Sequence, residues 1–182
     1  MTKAPPFSHR IRVGQISHNP LELRIEADGK ERAGLARLWG ILGVEALSAD
    51  LKVRRWKKDG VKVVGAIHAE VTQACVVTLE PVAQVIDEDI DETFVPEGSP
   101  LARMPANDAG EIVLDPDGPD LPEPFAGDSI DVGALVAEMA AMALDPYPRK
   151  VDALFEGRDD GDADDEAKPS PFAALKNLKL EK

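Results

Sequence analysis

Two stretches rich in Val, Leu and Ile, residues 44–57 and 61–79, flank Lys58-Asp59-Gly60, and this arrangement narrows the fold more than any other feature of the chain. Extended segments of that length, joined by a short polar turn containing glycine, close as a long antiparallel hairpin. A two-residue Asp-Gly loop pairs positions summing to 119, which sets Leu51 against His68 and Val63 against Trp56. A three-residue loop pairs positions summing to 118 and sets Leu47 with Val71, Ala49 with Ala69, Leu51 with Ile67 and Val53 with Gly65. The second register collects the apolar side chains on one face and is the favoured one, with Gly60 as a left-handed bulge residue. The opposite face then carries Lys52, Arg54, Trp56, Lys62 and His68, with Val64 and Ala66 as its small apolar members.

Elements elsewhere follow from periodicity and punctuation. Residues 10–13 and 21–27 alternate as half-buried strands joined at Asn19-Pro20. Asp28 followed by Glu31 predicts a capped helix with Leu35, Leu38 and Trp39 on its inner stripe, ended by Gly40 or Gly43. A further strand is expected near 82–95, after Pro81. Seven of the fifteen prolines fall in 96–127, which reads as an irregular acidic arm with Glu111-Ile-Val-Leu114 as its one short edge strand. Asp128 or Ser129 caps a predicted helix over 130–144, its inner stripe running through Val132, Leu135, Val136, Met139 and Met142 until Pro146 stops it. The expected organisation is one α+β domain over 1–150, an acidic linker over 151–168 and a basic amphipathic tail over 169–182. The fold class is a twisted antiparallel sheet built on the long hairpin, backed by the later helix, with the shorter helix at one end.

Charge is partitioned along the chain. Residues 1–84 hold 13 Lys/Arg against 9 Asp/Glu, residues 85–166 hold 4 against 24, and residues 167–182 hold 4 against 1, for a net −13. A basic front and tail around an acidic middle permit contact with a polyanion at one end and with basic protein partners at the other. No run of eighteen apolar residues is present, so no membrane span is expected, and the N-terminus lacks the apolar core of a secretion signal. A single cysteine, Cys75, excludes an internal disulfide and fits a reducing cytoplasm.

Arg54, Arg55, Lys57 and Lys58 lie within five residues, with Lys52 and Lys62 nearby and Trp56 interleaved. Cations of this kind hold phosphates, and an exposed aromatic stacks on an unpaired base. The alternative is that hairpin ends carry charge for solubility and to block edge pairing. Phe172, Leu175 and Leu178 recur at a helical interval with Lys176 and Lys179 on other sides, so the tail reads as a docking segment, for a partner or for the chain's own sheet. Cys75 shares a predicted strand face with Val71, Val77 and Leu79, which reads as a buried, inert thiol. His9, His18 and His68 lack ligand spacing, and Asp160, Asp162 and Asp164 lack the glycine of a calcium loop, so no metal and no cofactor are expected. There is no phosphate-binding glycine loop, nucleophile elbow or dinucleotide fingerprint, and an enzyme is not expected.

Three segments in order carry a likeness: Cys75-Val-Val-Thr-Leu-Glu-Pro81, then Ile130-Asp-Val-Gly-Ala-Leu-Val-Ala-Glu138 running into Leu144-Asp-Pro-Tyr-Pro148, then Ser170-Pro-Phe-Ala-Ala-Leu-Lys176. Together they resemble the YceD-like family, the large-ribosomal-RNA accumulation proteins of bacteria and plastids. The resemblance implies a non-enzymatic factor supporting 23S rRNA accumulation or processing in large-subunit assembly. Its implied partners are 23S rRNA or its precursor particle, and a basic large-subunit ribosomal protein. Many members carry a second cysteine where this chain has Thr78, a departure that argues against a metal site here. On this reading the hairpin face would touch RNA, Asp131 and Glu138 would meet a ribosomal protein, and the Phe172-to-Leu178 tail would anchor in an apolar groove. Six phosphate contacts would make RNA binding fall by roughly three orders of magnitude between 50 and 200 mM salt. The alternative function is an acidic, protein-only adaptor or chaperone for one basic ribosomal protein.

Overall fold

The computed structural model describes residues 5–17, 19–102, 121–151 and 153. In chain order the elements are β1 (Arg10–Arg12), β2 (Leu21–Glu26), α1 (Gly29–Trp39), β3 (Gly43–Trp56), β4 (Gly60–Ala74), β5 (Pro81–Pro96), β6 (Glu123–Phe125), β7 (Ser129–Asp131) and α2 (Val132–Met142). The fold is α+β. Five strands form one sheet in the order β2-β3-β4-β5-β6, antiparallel except for the parallel β5–β6 pair, while β1 and β7 pair separately. The reading of residues 10–27 as two joined strands is corrected accordingly: β1 leaves for β7, and β2 alone joins the main sheet.

The hairpin forms, with its register two residues from the expected one. Leu47 pairs Ala69, Leu51 pairs Gly65, Val53 pairs Val63 and Trp56 pairs Gly60, so paired positions sum to 116 and the loop is Lys57-Lys58-Asp59. Lys57, not Gly60, takes the left-handed conformation, at φ 50°. Gly60 belongs to the ladder for a different reason: a Cβ there would lie 2.8 Å from the Trp56 ring and 3.0 Å from the Phe94 carbonyl oxygen. A slip of two positions preserves strand parity, so each side chain stays on its predicted face. Leu47, Ala49, Leu51 and Val53 of β3 and Val61, Val63, Ile67, Ala69 and Val71 of β4 are buried on the inner face. Gly65 permits the closest strand approach, since a Cβ at that position would sit 2.2 Å from the Asp50 carbonyl oxygen.

Both helices complete the inner face. Asp28 caps α1 through the amides of Lys30 and Glu31 while the Glu31 carboxylate returns to the Asp28 amide, and Gly40 closes the helix at φ 68°. Only Leu35 of the predicted stripe is buried. Leu38 is exposed and Trp39 is partly covered. Helix α2 begins later than expected because residues 129–131 are used as β7, and Asp131 is its cap. Val132, Leu135 and Val136 join Ile11, Phe7 and Ile16 in the same core as the inner face of β3 and β4. Met142, predicted inward, is two-thirds exposed. Fully burying an aliphatic side chain of this kind contributes about 1.5–3 kcal/mol.

The end of the Pro-rich segment is not irregular. Glu123–Phe125 adds to β5 in parallel, with Phe94 opposite Glu123. The expected edge strand at 111–114, most of the acidic linker and the whole tail, including Phe172, Leu175, Lys176, Leu178 and Lys179, lie outside the described residues. No helix among the described residues is long and apolar enough to cross a membrane.

Candidate nucleic-acid interface

Alternation along β3 and β4 sends Lys52, Arg54, Trp56, Lys62 and His68 to the outer face of the sheet, which no helix among the described residues covers. The neighbouring strands bring carboxylates to the same face. Lys52 lies directly opposite Glu22 on β2 and pairs with it at 2.8 Å. Arg24 meets Asp50 at 3.1 Å across the same strand pair. Lys62 reaches diagonally to Asp91 on β5 at 2.6 Å, and His68 Nδ1 lies 2.7 Å from Asp87. The Asp87 contact, chiefly its hydrogen bond, raises the His68 pKa above its ordinary value, with Glu70 adding to the effect. The Lys52 ammonium holds Glu22 below the ordinary carboxylate value.

Pairing between β2 and β3 stops at Leu21 opposite Val53. Arg54 lies one residue beyond it and has no cross-strand neighbour on that side among the described residues. Among the described residues, Arg54 and Lys58 make no ion pair or side-chain hydrogen bond. The Lys57 ammonium sits 4.2 Å from the centroid of the half-buried Trp56 ring. A base stacking on that side of Trp56 would have to displace the lysine. Arg55 is out of phase with Arg54, and its Nε donates to the Ile16 carbonyl at 2.8 Å, tying the N-terminal segment to the ribbon. The seven basic and aromatic candidates therefore divide three ways. Arg54, Lys57 and Lys58 sit with Trp56 at the tip, Lys52 and Lys62 are ion-paired along the shaft, and Arg55 serves the opposite side.

Asp87, Asp89 and Asp91 form an exposed acidic column on β5, facing outward beside Ala66 and Val64. The alternation Asp87-Glu-Asp89-Ile-Asp91 carried this signal in sequence, since every second residue of a strand shares a face. Asp131 is not available to a partner. Partial burial would raise its pKa, but hydrogen bonds from the Ser8 hydroxyl and the amides of Ala134 and His9, with the Arg10 guanidinium nearby, bring it below the ordinary value. Glu138 stays exposed.

Cys75 is fully buried, but β4 ends at Ala74 and Cys75 opens a turn instead of continuing a strand face. Its amide donates to Glu80 O and its carbonyl accepts from the Leu79 amide, with Leu79 at φ 62° and exposed. The thiol pKa is lowered to about 6 by hydrogen bonding from the Thr78 side chain first, then from the amides of Lys150, Thr78 and Val77. Among the described residues no group of three or more His, Cys, Asp or Glu could hold a metal ion.

No curated protein and no solved structure matches the chain. The family described as large ribosomal RNA subunit accumulation protein YceD matches residues 63–179, which takes in β4 from Val63 onward, β5, the Pro-rich segment, α2 and most of the tail, and leaves out β3 and the hairpin tip. With more than half of its length matched in this way, the chain belongs to the YceD family of large ribosomal RNA subunit accumulation proteins.

Proposed function

We propose that this protein is a non-enzymatic, cytoplasmic factor of large-subunit assembly that touches 23S rRNA, alone or in a precursor particle, through the hairpin tip alone. The family membership supplies the role in large-subunit rRNA accumulation. The observation that carries the contact is the difference in neutralisation between Arg54, Lys57 and Lys58, which meet no carboxylate among the described residues, and Lys52 and Lys62, which do. Phosphate oxygens compete poorly for an ammonium already held at under 3 Å by a carboxylate. Asp89, the member of the β5 column that no described cation pairs, makes the shaft less favourable to a polyanion than the tip. Three phosphate contacts make binding fall roughly 20- to 40-fold between 50 and 200 mM salt, far less than six would.

Asp87, Asp89 and Asp91 favour a second reading, in which the outer face receives a Lys/Arg-rich segment of a basic large-subunit ribosomal protein. One comparison separates the two. Replacing Arg54, Lys57 and Lys58 with alanine removes co-sedimentation with large-subunit precursors while leaving thermal unfolding unchanged, if the RNA reading holds. Loss of co-sedimentation only on changing Asp87, Asp89 and Asp91 to asparagine would put the protein-adaptor reading in its place.

A further inference from the structure

The end of the sheet remote from the hairpin tip is apolar. A groove of about 550 Å³ opens there between the end of α1, the end of β4 and the stretch after α2, with Trp39, Ile41, Val76, Met142 and Pro148 among its lining residues. Val76 is half-exposed and Met142 two-thirds exposed, and Leu42, Leu79 and Tyr147 add further uncovered apolar surface close to them in the chain. Solvent-facing aliphatic side chains gathered around a concave site mark a surface that something covers. A second observation points the same way. Gln73, also on the groove wall, is the one buried polar side chain among the described residues, only 8% exposed. Its Nε2 donates to the Asp145 carbonyl at 3.0 Å, but its Oε1 has no hydrogen-bond partner. A buried acceptor left unmet is unfavourable, and an arriving N–H donor would relieve it.

We infer that this groove seats the chain's own C-terminal segment through Phe172, Leu175 and Leu178. The path of the chain favours that occupant. Pro146 and Pro148 form part of the groove wall, the Pro148 carbonyl accepts from the Val76 amide, and the described chain ends at Val151 and Ala153, a few residues on. The separation from Ala153 to Phe172 spans roughly 60 Å when extended, so reach does not limit docking. Closing so short a tether costs little more than closing a shorter one. Tethering also gives the segment an effective concentration in the millimolar range, ahead of a free partner of equal contact chemistry. The family match continues to residue 179, so the segment is part of the same family unit as β4 and α2. A stretch this short does not hold a helix by itself in water and needs an apolar face to fold against. The inference is independent of the RNA contact, which lies at the other end of the ribbon.

The test uses the full-length chain. A photoreactive benzoylphenylalanine at position 172 should crosslink within the molecule to peptides containing residues 73–76 or 141–148. Trypsin should cut after Lys176 and Lys179 about tenfold faster in Leu175→Ser, and in Met142→Glu, than in the parent. Leu175→Ser changes no residue of the described domain, so its effect does not depend on that domain tolerating a change. Equal cleavage rates in all three chains, or a crosslink that forms only between molecules or elsewhere on the surface, would overturn the inference.

Discussion

The shaft and the tip of one β-ribbon carry the same residue types and differ in what lies beside them. Along the shaft, Lys52 and Lys62 sit between β2 and β5, whose outward carboxylates Glu22 and Asp91 neutralise them. At the tip, β2 has already ended opposite Val53, and Arg54, Lys57 and Lys58 meet no carboxylate among the described residues. A cation's availability therefore follows from where the neighbouring strand stops, a property of the sheet and not of the local sequence. Exposed ion pairs such as these contribute little to stability, of the order of 0–1 kcal/mol, so their larger consequence is for recognition.

The strongest way to break the comparison is to disturb the ribbon itself. Gly65→Ala places a methyl group 2.2 Å from the Asp50 carbonyl oxygen in the middle of the sheet. It should cost about 3 kcal/mol in urea unfolding. An unchanged midpoint would mean that β3 and β4 do not approach as described. Next in size, Arg54→Ala with Lys57→Ala and Lys58→Ala should lower the salt slope of binding to a large-subunit rRNA fragment by about three, whereas Lys52→Ala alone should barely change it. The comparison sharpens in reverse when the shaft is unmasked. Glu22→Gln with Asp91→Asn frees Lys52 and Lys62, and should steepen that slope by about two while raising affinity at low salt. The smallest effect expected is on stability against pH. Because Asp87 raises the His68 pKa, the pair's contribution is full below the ordinary histidine value of 6.5 and is lost as pH rises through the higher folded value. The gap in urea midpoint between the parent and His68→Gln should therefore shrink from about pH 5.5 to about pH 8.5, and Asp87→Asn should abolish that dependence.

Much of this architecture was legible because it rests on short-range rules. The capping box at Asp28 and Glu31, a stop at Gly40 or Gly43 (it is Gly40) and the inward parity of Leu47 through Val53 all follow from spacing alone. The register was harder, since moving the loop by one residue at each end leaves the apolar face intact, so the pattern cannot distinguish the two. In the register that forms, Gly60 is closely approached by Trp56 and by the Phe94 carbonyl, and Phe94 comes from a strand more than thirty residues later. The same limit applied to the basic cluster. Sequence placed Lys52, Arg54, Trp56 and Lys62 on one face, but the neutralising partners arrive from β2 and β5 through pairings no local pattern encodes. Met142 was predicted inward by periodicity and lies exposed beside the groove, while Ala140 before it is buried and Ala143 and Leu144 after it pack against the core.

The most direct test of the central claim is a salt titration of the parent protein on a large-subunit rRNA fragment, run beside the Arg54, Lys57 and Lys58 triple-alanine chain. The parent should lose roughly 20- to 40-fold in affinity between 50 and 200 mM salt, and the triple variant should show a nearly flat, weak response. Indistinguishable curves for the two chains would contradict it.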